Sequence, residues 1–263
     1  MSTTTVPATP PSFELDDDLS HFREVCRSFV DNEVRPLIRD AEEQGTFPLE
    51  LLPKLAAAGL LGIGHPAEDG GVGGGMLART VLMEELGRSC GGIAVTIGVN
   101  AYMASPHLSH FGTLEQRTRY LAPMIRGEHV VAIAVTEPGA GSDVAGIKTP
   151  AKRVDGGWRI SGTKMFITNA GFAETIIVAA KTDPGAGHRG ITTFILERDE
   201  PGMTLSAPLK KMGWHSSDTR EVALDDVFVP DERVLGEVGR GFHQIMHAFE
   251  RERVLLGAMG VGL

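Results

Sequence analysis

The chain has 263 residues, enough for one large or two ordinary domains, and its 42% hydrophobic and 22% charged residues are those of a globular protein. A formal net charge of −9 argues against a nucleic-acid surface, where a basic excess is expected. Two cysteines far apart in sequence, Cys26 and Cys90, give no disulfide framework and no zinc or other metal site, and no apolar run approaches the ~18 residues of a membrane span, so a reducing, cytoplasmic location is expected.

Residues 1–13 carry neither a basic region nor an apolar core and are expected to form a disordered lead rather than a targeting peptide. Residues 14–127 are expected to be a helical domain. In "DDLSHFREVCRSFVDNEVRPLI", Leu19, Phe22, Val25, Cys26, Phe29, Val30 and Val34 fall near helical spacing, with Asp16 to Asp18 at the positive end. "PLELLPKLAAAGL" reads as a second helix ending near Gly59, "DGGVGGGM" as a turn and "LARTVLMEELGRSC" as a third helix. "AVTIGVNAYMASPHLSHFG" is apolar or small on every face, the mark of a buried helix. "TLEQRTRYLAPMIRGE" closes the set, with Glu115 in its first turn.

Over 128–237 the pattern changes to short β-type runs with turn residues between them: "HVVAIAVTE", "AKRVDGGWRISGTKMFITN", "ETIIVAAKTD", "GITTFILERD", "MTLSAPL" and "TREVALDDVFVP". "VDGG" is a hairpin signal. An antiparallel β domain is expected here. Residues 238–263 return to helix without a stop signal. Phe242, Ile245, Met246, Phe249, Leu256, Gly260 and Leu263 form its apolar stripe, Glu252 and Arg253 lie on opposite edges, Glu250 further round, and Arg251 faces away.

The chemistry-bearing stretch is "AVTEPGAGSDVAG", Ala134 to Gly146, directly after an apolar strand. It is no Walker loop, since no Gly-Lys-Ser/Thr follows, and no dinucleotide fingerprint, since Val144 stands where a third glycine belongs. From the residues alone a plain glycine-rich β-turn is an equal alternative. Glu137 and Asp143 read as carboxylates that brace the turn.

The same stretch resembles the first signature of the acyl-CoA dehydrogenase family. "SGTKMFITNAG" resembles that family's flavin-facing strand pair, "KMGWHSSDTREVALDDVFVP" the end of its β domain, and "GRGFHQIMHAFERERVLL" the first helix of its C-terminal domain. The resemblance implies an α+β chain: an all-helical N-terminal domain, a middle antiparallel β-barrel or sandwich, and the start of a C-terminal four-helix bundle. It implies an FAD cofactor, with Val135 and Thr136 bordering the flavin ring, Gly141 and Ser142 near its diphosphate, and Ser142 also touching the pantetheine arm. It puts Phe166 and Thr168 at the flavin, on one face of a strand with Ile167 on the other. Many relatives carry Trp at the Phe166 position, so here the aromatic wall lacks an indole N–H.

Dehydrogenation of an acyl thioester needs a base for the α-proton, and a carboxylate whose pKa is raised by a dry pocket suits it. The resemblance assigns that role to Glu252, immediately before Arg253; other subfamilies use a Glu from a later loop. Arg253 resembles the arginine that supports the acyl-CoA pocket, Glu250 stands beside the substrate region, and Lys210, Lys211 and Arg251 are candidate contacts for CoA phosphates, each with a solvated surface as the plainer reading. Implied partners are acyl-CoA, an electron-transfer flavoprotein or similar acceptor, and further copies in a homotetramer or homodimer. A related flavin oxidase of the acyl-CoA oxidase type and a non-catalytic partner subunit or truncated remnant are the competing readings. The last helix is expected to lack a partner for its stripe, and the chain alone to turn over poorly.

Overall fold

The computed structural model describes residues 14–263; the expected lead over 1–13 lies outside them. The acidic start of the first helix acts as its sequence requires. Asp16 caps α1 (Asp17–Phe29) by accepting the Leu19 N–H at 2.8 Å, with Asp17 and Asp18 in the first turn. Pro36 cannot donate an i→i−4 hydrogen bond, and the helix passes it through a π turn (Val30–Val34) and a 3-10 turn (Arg35–Leu37) before resuming as α2 (Ile38–Gln44). Then follow α3 (Leu51–Ala57), α4 (Met76–Gly87) and α5 (Gly91–Gly98). Every residue of α5 is buried, as its uniformly apolar surface implies, and it runs into a buried π-helical segment, Val99–Ala104. The helices α6 (Ser105–Phe111), α7 (Leu114–Gln116) and α8 (Ala122–Ile125) complete the layer, with Thr113 and Gln116 forming a capping box at α7.

The β domain consists of two four-stranded sheets. One has the order β1 (Val131–Ala134), β4 (Thr175–Lys181), β5 (Ile191–Glu197), β8 (Val234–Leu235), and the other β2 (Ala151–Val154), β3 (Gly157–Thr168), β7 (Thr219–Pro230), β6 (Met203–Leu205). The Asp155-Gly156 hairpin joins β2 to β3, with Gly156 at φ 70°. Trp158 on β3 meets Phe194 on β5 edge to face at 5.8 Å, so the sheets pack on each other. The sheets depart from the expected pattern in one place: β1 pairs with β4 in parallel. Between them the chain crosses to the other sheet and back, which is the long connection that a parallel pair requires. Helices, then antiparallel-rich sheets, then a helix is the α+β architecture expected from the sequence. The two layers are tied by the Asn100 side chain, which accepts the Val131 N–H at 2.8 Å, and by Asn169, which donates to Thr96 O at 3.0 Å.

The final helix α9 (Gly241–Gly262) corrects the sequence reading twice. It is not without a partner: it crosses α4, burying Leu255, Ala258 and Met259. And the expected stripe of large residues holds only in the first half of the helix, where Ile245 is fully buried. Phe242, Met246 and Phe249 are half-buried, while Leu256, Gly260 and Leu263 are exposed. Small residues set the crossing instead, because a Cβ on Gly87 would lie 2.4 Å from Met259 O and one on Gly262 2.1 Å from Glu84 O. Gly87→Ala is therefore expected to lower stability by ~1–3 kcal/mol, the cost of forcing packed backbones apart. Urea denaturation measures this, and an unchanged midpoint would remove the close approach.

Candidate functional site

A cleft of about 160 Å³ opens where the two layers and α9 meet, lined by Val99, Met103, Ile133, Val135, Thr136, Phe166, Ile167, Thr168, Phe249 and Glu252. Four elements build it, one of them α9, which supplies Phe249 and Glu252. The end of β1 supplies Ile133, Val135 and Thr136; the end of β3 supplies Phe166 to Thr168; and the π-helical segment supplies Val99 and Met103. A π turn inserts an extra residue into the helical ladder and so shifts which side chains face inward.

Strand alternation alone would put Phe166 and Thr168 on one face and Ile167 on the other. The structure corrects this. Between Lys164 and Ile167 the register against β7 slips by one residue, a β-bulge, and Phe166 adopts φ 60° with 65% of its surface exposed. Residues 166, 167 and 168 consequently all border the cleft. A left-handed phenylalanine with an uncovered ring is a strained arrangement of the kind found where a ligand is clamped.

Glu252 reaches the cleft from α9. It is half-buried, on the same helix face as Ile245, Ala248 and Leu255, and burial raises its carboxyl to about 7, with Arg253 acting in the opposite direction. Arg253 itself is exposed and donates to Phe249 O at 2.8 Å, outside the cleft, and Glu250 is exposed as well. Arg251, expected to face away, is half-buried and bonded to His247 at 2.6 Å.

The glycine-rich turn is braced as its carboxylates suggested. Glu137 accepts the backbone N–H groups of Lys148 at 2.6 Å and Thr149 at 3.0 Å, and Asp143 caps the 3-10 turn Val144–Gly146 by accepting from Gly146 at 3.2 Å. Gly141 and Ser142 stand exposed on this turn and do not line the cleft; a Cβ on Gly141 would meet nothing within 4 Å. Lys210 and Lys211 border a separate groove of about 430 Å³ together with Glu42, Glu43 and His215, and Lys211 is spent on Ser217 O and Thr219 Oγ1. That groove is larger but mixes charges of both signs and gathers none of the residues that converge on the smaller cleft.

The sequence reading missed Val99, Met103 and Ile133, whose apolar side chains carry no chemical signature. It also missed Lys164, fully buried and 2.8 Å from Glu137. A signal for Lys164 was present: it falls on the core-facing period of β3 with Trp158 and Ile160.

Residues 16–128 match the family model for the acyl-CoA dehydrogenase N-terminal domain, and residues 132–227 that for the acyl-CoA dehydrogenase middle domain. The chain is 40% identical over 254 residues to a mitochondrial 2-methylacyl-CoA dehydrogenase of Solanum tuberosum, covering 96% of this chain and 62% of that protein. It thus spans less than two thirds of that relative's length. The structure of butyryl-CoA dehydrogenase from Megasphaera elsdenii superposes with a TM-score of 0.90 at 34% identity, covering 96% of this chain and 67% of that one. An acyl-CoA dehydrogenase complexed with FAD from Bacillus anthracis superposes with a TM-score of 0.87 at 33% identity, over 95% of this chain and 43% of that one.

Proposed function

The chain belongs to the acyl-CoA dehydrogenase family, and from that premise we propose that it forms the FAD-binding and substrate-facing part of an enzyme that converts an acyl-CoA thioester to the 2-enoyl-CoA. The observation that carries the reading is the convergence, in one cleft, of Glu252 with Val135, Thr136, Phe166 and Thr168.

The lining suits an isoalloxazine ring. Val135, Ile133 and Phe166 offer apolar surface to a flat heterocycle, and Thr136 and Thr168 offer hydroxyl groups to its polar edge. Gly141 and Ser142, out on the turn, are assigned to the diphosphate, with Ser142 also meeting the pantetheine arm; small residues there let backbone N–H groups approach an anion. FAD, when bound, supplies the acceptor for the hydride that leaves the substrate β-carbon. Glu252 takes the α-proton on its carboxylate. The apolar residues around it keep water out, which makes that carboxylate a stronger base. An electron-transferring flavoprotein or similar acceptor completes the cycle. A non-catalytic role is disfavoured by the convergence of a half-buried Glu252 with Thr136 and Thr168 on one cleft.

The test is to titrate the purified chain with FAD, following flavin fluorescence, and to compare Thr136→Val/Thr168→Val. At ~1 kcal/mol for each hydroxyl hydrogen bond, the pair is expected to weaken binding by about thirtyfold. Unchanged affinity would remove both residues from the flavin site, and a wild-type chain that takes up no FAD would sink the proposed function.

A further inference from the structure

One buried ion pair links the two walls of the cleft from behind. Lys164 is fully buried and Glu137 is 8% exposed, with Nζ 2.8 Å from Oε1. Nζ also donates to Val135 O at 3.1 Å, and the next carbonyl, Thr136 O, accepts the Met165 N–H at 2.9 Å. The carbonyls of two consecutive cleft residues are thus held by residues 164 and 165, immediately before the bulge that carries Phe166. A trans peptide directs the Thr136 N–H to the side opposite the Val135 carbonyl. Whatever fixes that carbonyl therefore also fixes the amide. Glu137 in turn anchors the pair to the chain beyond the glycine turn through Lys148 N and Thr149 N.

Neither charged group touches the cleft. Neither is explained by stability, because taking two ions out of water costs about as much as their attraction returns, and an apolar pair would serve as well. What an ion pair provides and an apolar pair does not is a directional hold on a particular backbone carbonyl.

Resting on the flavin reading above, we propose that Lys164 and Glu137 are positioning residues that hold the Val135–Thr136 peptide and the Phe166 bulge in the relative placement that the flavin ring requires. The pair acts through the backbone, with Lys164 as the direct hold on Val135 O.

The test separates this role from a merely structural one. Glu137→Gln/Lys164→Met removes both charges together, so no uncompensated ion is left buried, and its unfolding midpoint is expected to stay near that of the wild type. FAD binding is nevertheless expected to weaken by about tenfold, the loss of one charge-assisted hydrogen bond to the wall of the site. The visible flavin band should shift, and amide exchange of the segment 131–137 should quicken in the flavin-free chain. Lys164→Met alone leaves Glu137 on its two backbone donors and should show the same loss of affinity if the double variant does not fold. Wild-type affinity, spectrum and exchange in either folded variant overturn the proposal. A wild-type chain that binds no FAD overturns the functional reading and this proposal with it, whereas tight wild-type binding with unperturbed variants overturns this proposal alone.

Discussion

Glu252→Gln is expected to slow reduction of the bound flavin by acyl-CoA by about 10²–10⁴, the usual contribution of a general base, while leaving FAD and acyl-CoA binding nearly unchanged. The substitution keeps the shape of the side chain and removes only its ability to take a proton. Because burial raises the Glu252 carboxyl to about 7, the wild-type rate should climb with pH below neutrality and level off above it. The variant should lose that dependence. Stability gives a second readout with the opposite sign. A carboxyl raised in the folded state contributes stability that is present below its unfolded pKa and lost as pH rises through about 7. The Gln variant should therefore be slower and, above neutrality, more resistant to urea than the wild type. Glu250→Gln, at an exposed position, is the control for both. A Glu252→Gln protein that reduces its flavin at the wild-type rate would move the base to another residue.

Acid should unfold this protein well before its carboxylates are fully protonated. His65 and His107 are 2% and 1% exposed, and burial pushes both imidazoles down to about 4, with the Arg79 cation adding to the effect at His65 and His110 to that at His107. Each is held neutral by packing, against the partial opposition of a backbone carbonyl that favours the charged ring: Ala101 O at 3.0 Å for His65 and Met103 O at 3.1 Å for His107. In the unfolded chain both would titrate near 6.5. A depressed histidine contributes stability that is present above the unfolded pKa and lost as pH falls toward the folded one, so the window is pH 6.5 to about 4. Each shift corresponds to roughly 3 kcal/mol across that window, so the two together approach the ~5–15 kcal/mol total of a typical domain. His247, also depressed by burial, acts in the same direction, and Glu252 partly opposes them. Urea unfolding between pH 7 and 5 checks this, and His107→Gln should reduce the pH slope by about one proton, ~1.4 kcal/mol per pH unit. A wild-type midpoint that does not move between pH 7 and 5 would show that the two imidazoles are not buried neutral.

Local chemistry made much of the fold legible. Asp16 announced α1, Asp155-Gly156 announced a hairpin, and the uniformly apolar α5 announced its own burial. Errors arose where tertiary geometry overrides period. The stripe on α9 was traced through large residues, but a close helix crossing selects glycine and alanine, so Leu256 was counted in place of Leu255. Alternation assigned Ile167 away from the cleft because a bulge leaves no mark in a sequence of β-branched and aromatic residues. Glu252 was legible through its family neighbours, but its distance from solvent was not, since that depends on what the β domain and the π-helical segment place opposite it. Parallel pairing of β1 was hidden for a simpler reason: a four-residue apolar strand reads the same in either direction.

The crossing of α9 over α4 sets the order in which the chain can be completed during synthesis. The helical layer is translated first, yet the side of α4 that receives Leu255, Ala258 and Met259 has no cover until the whole β domain has emerged and the last helix follows. The parallel partner of β1 is likewise made only after the hairpin of the other sheet. Both halves of the molecule thus wait on segments distant in sequence, which is slow assembly with apolar surface bare in the interval. The glycines at Gly87 and Gly262, by letting α9 seat closely on α4, are what shorten the exposure of that surface once α9 arrives.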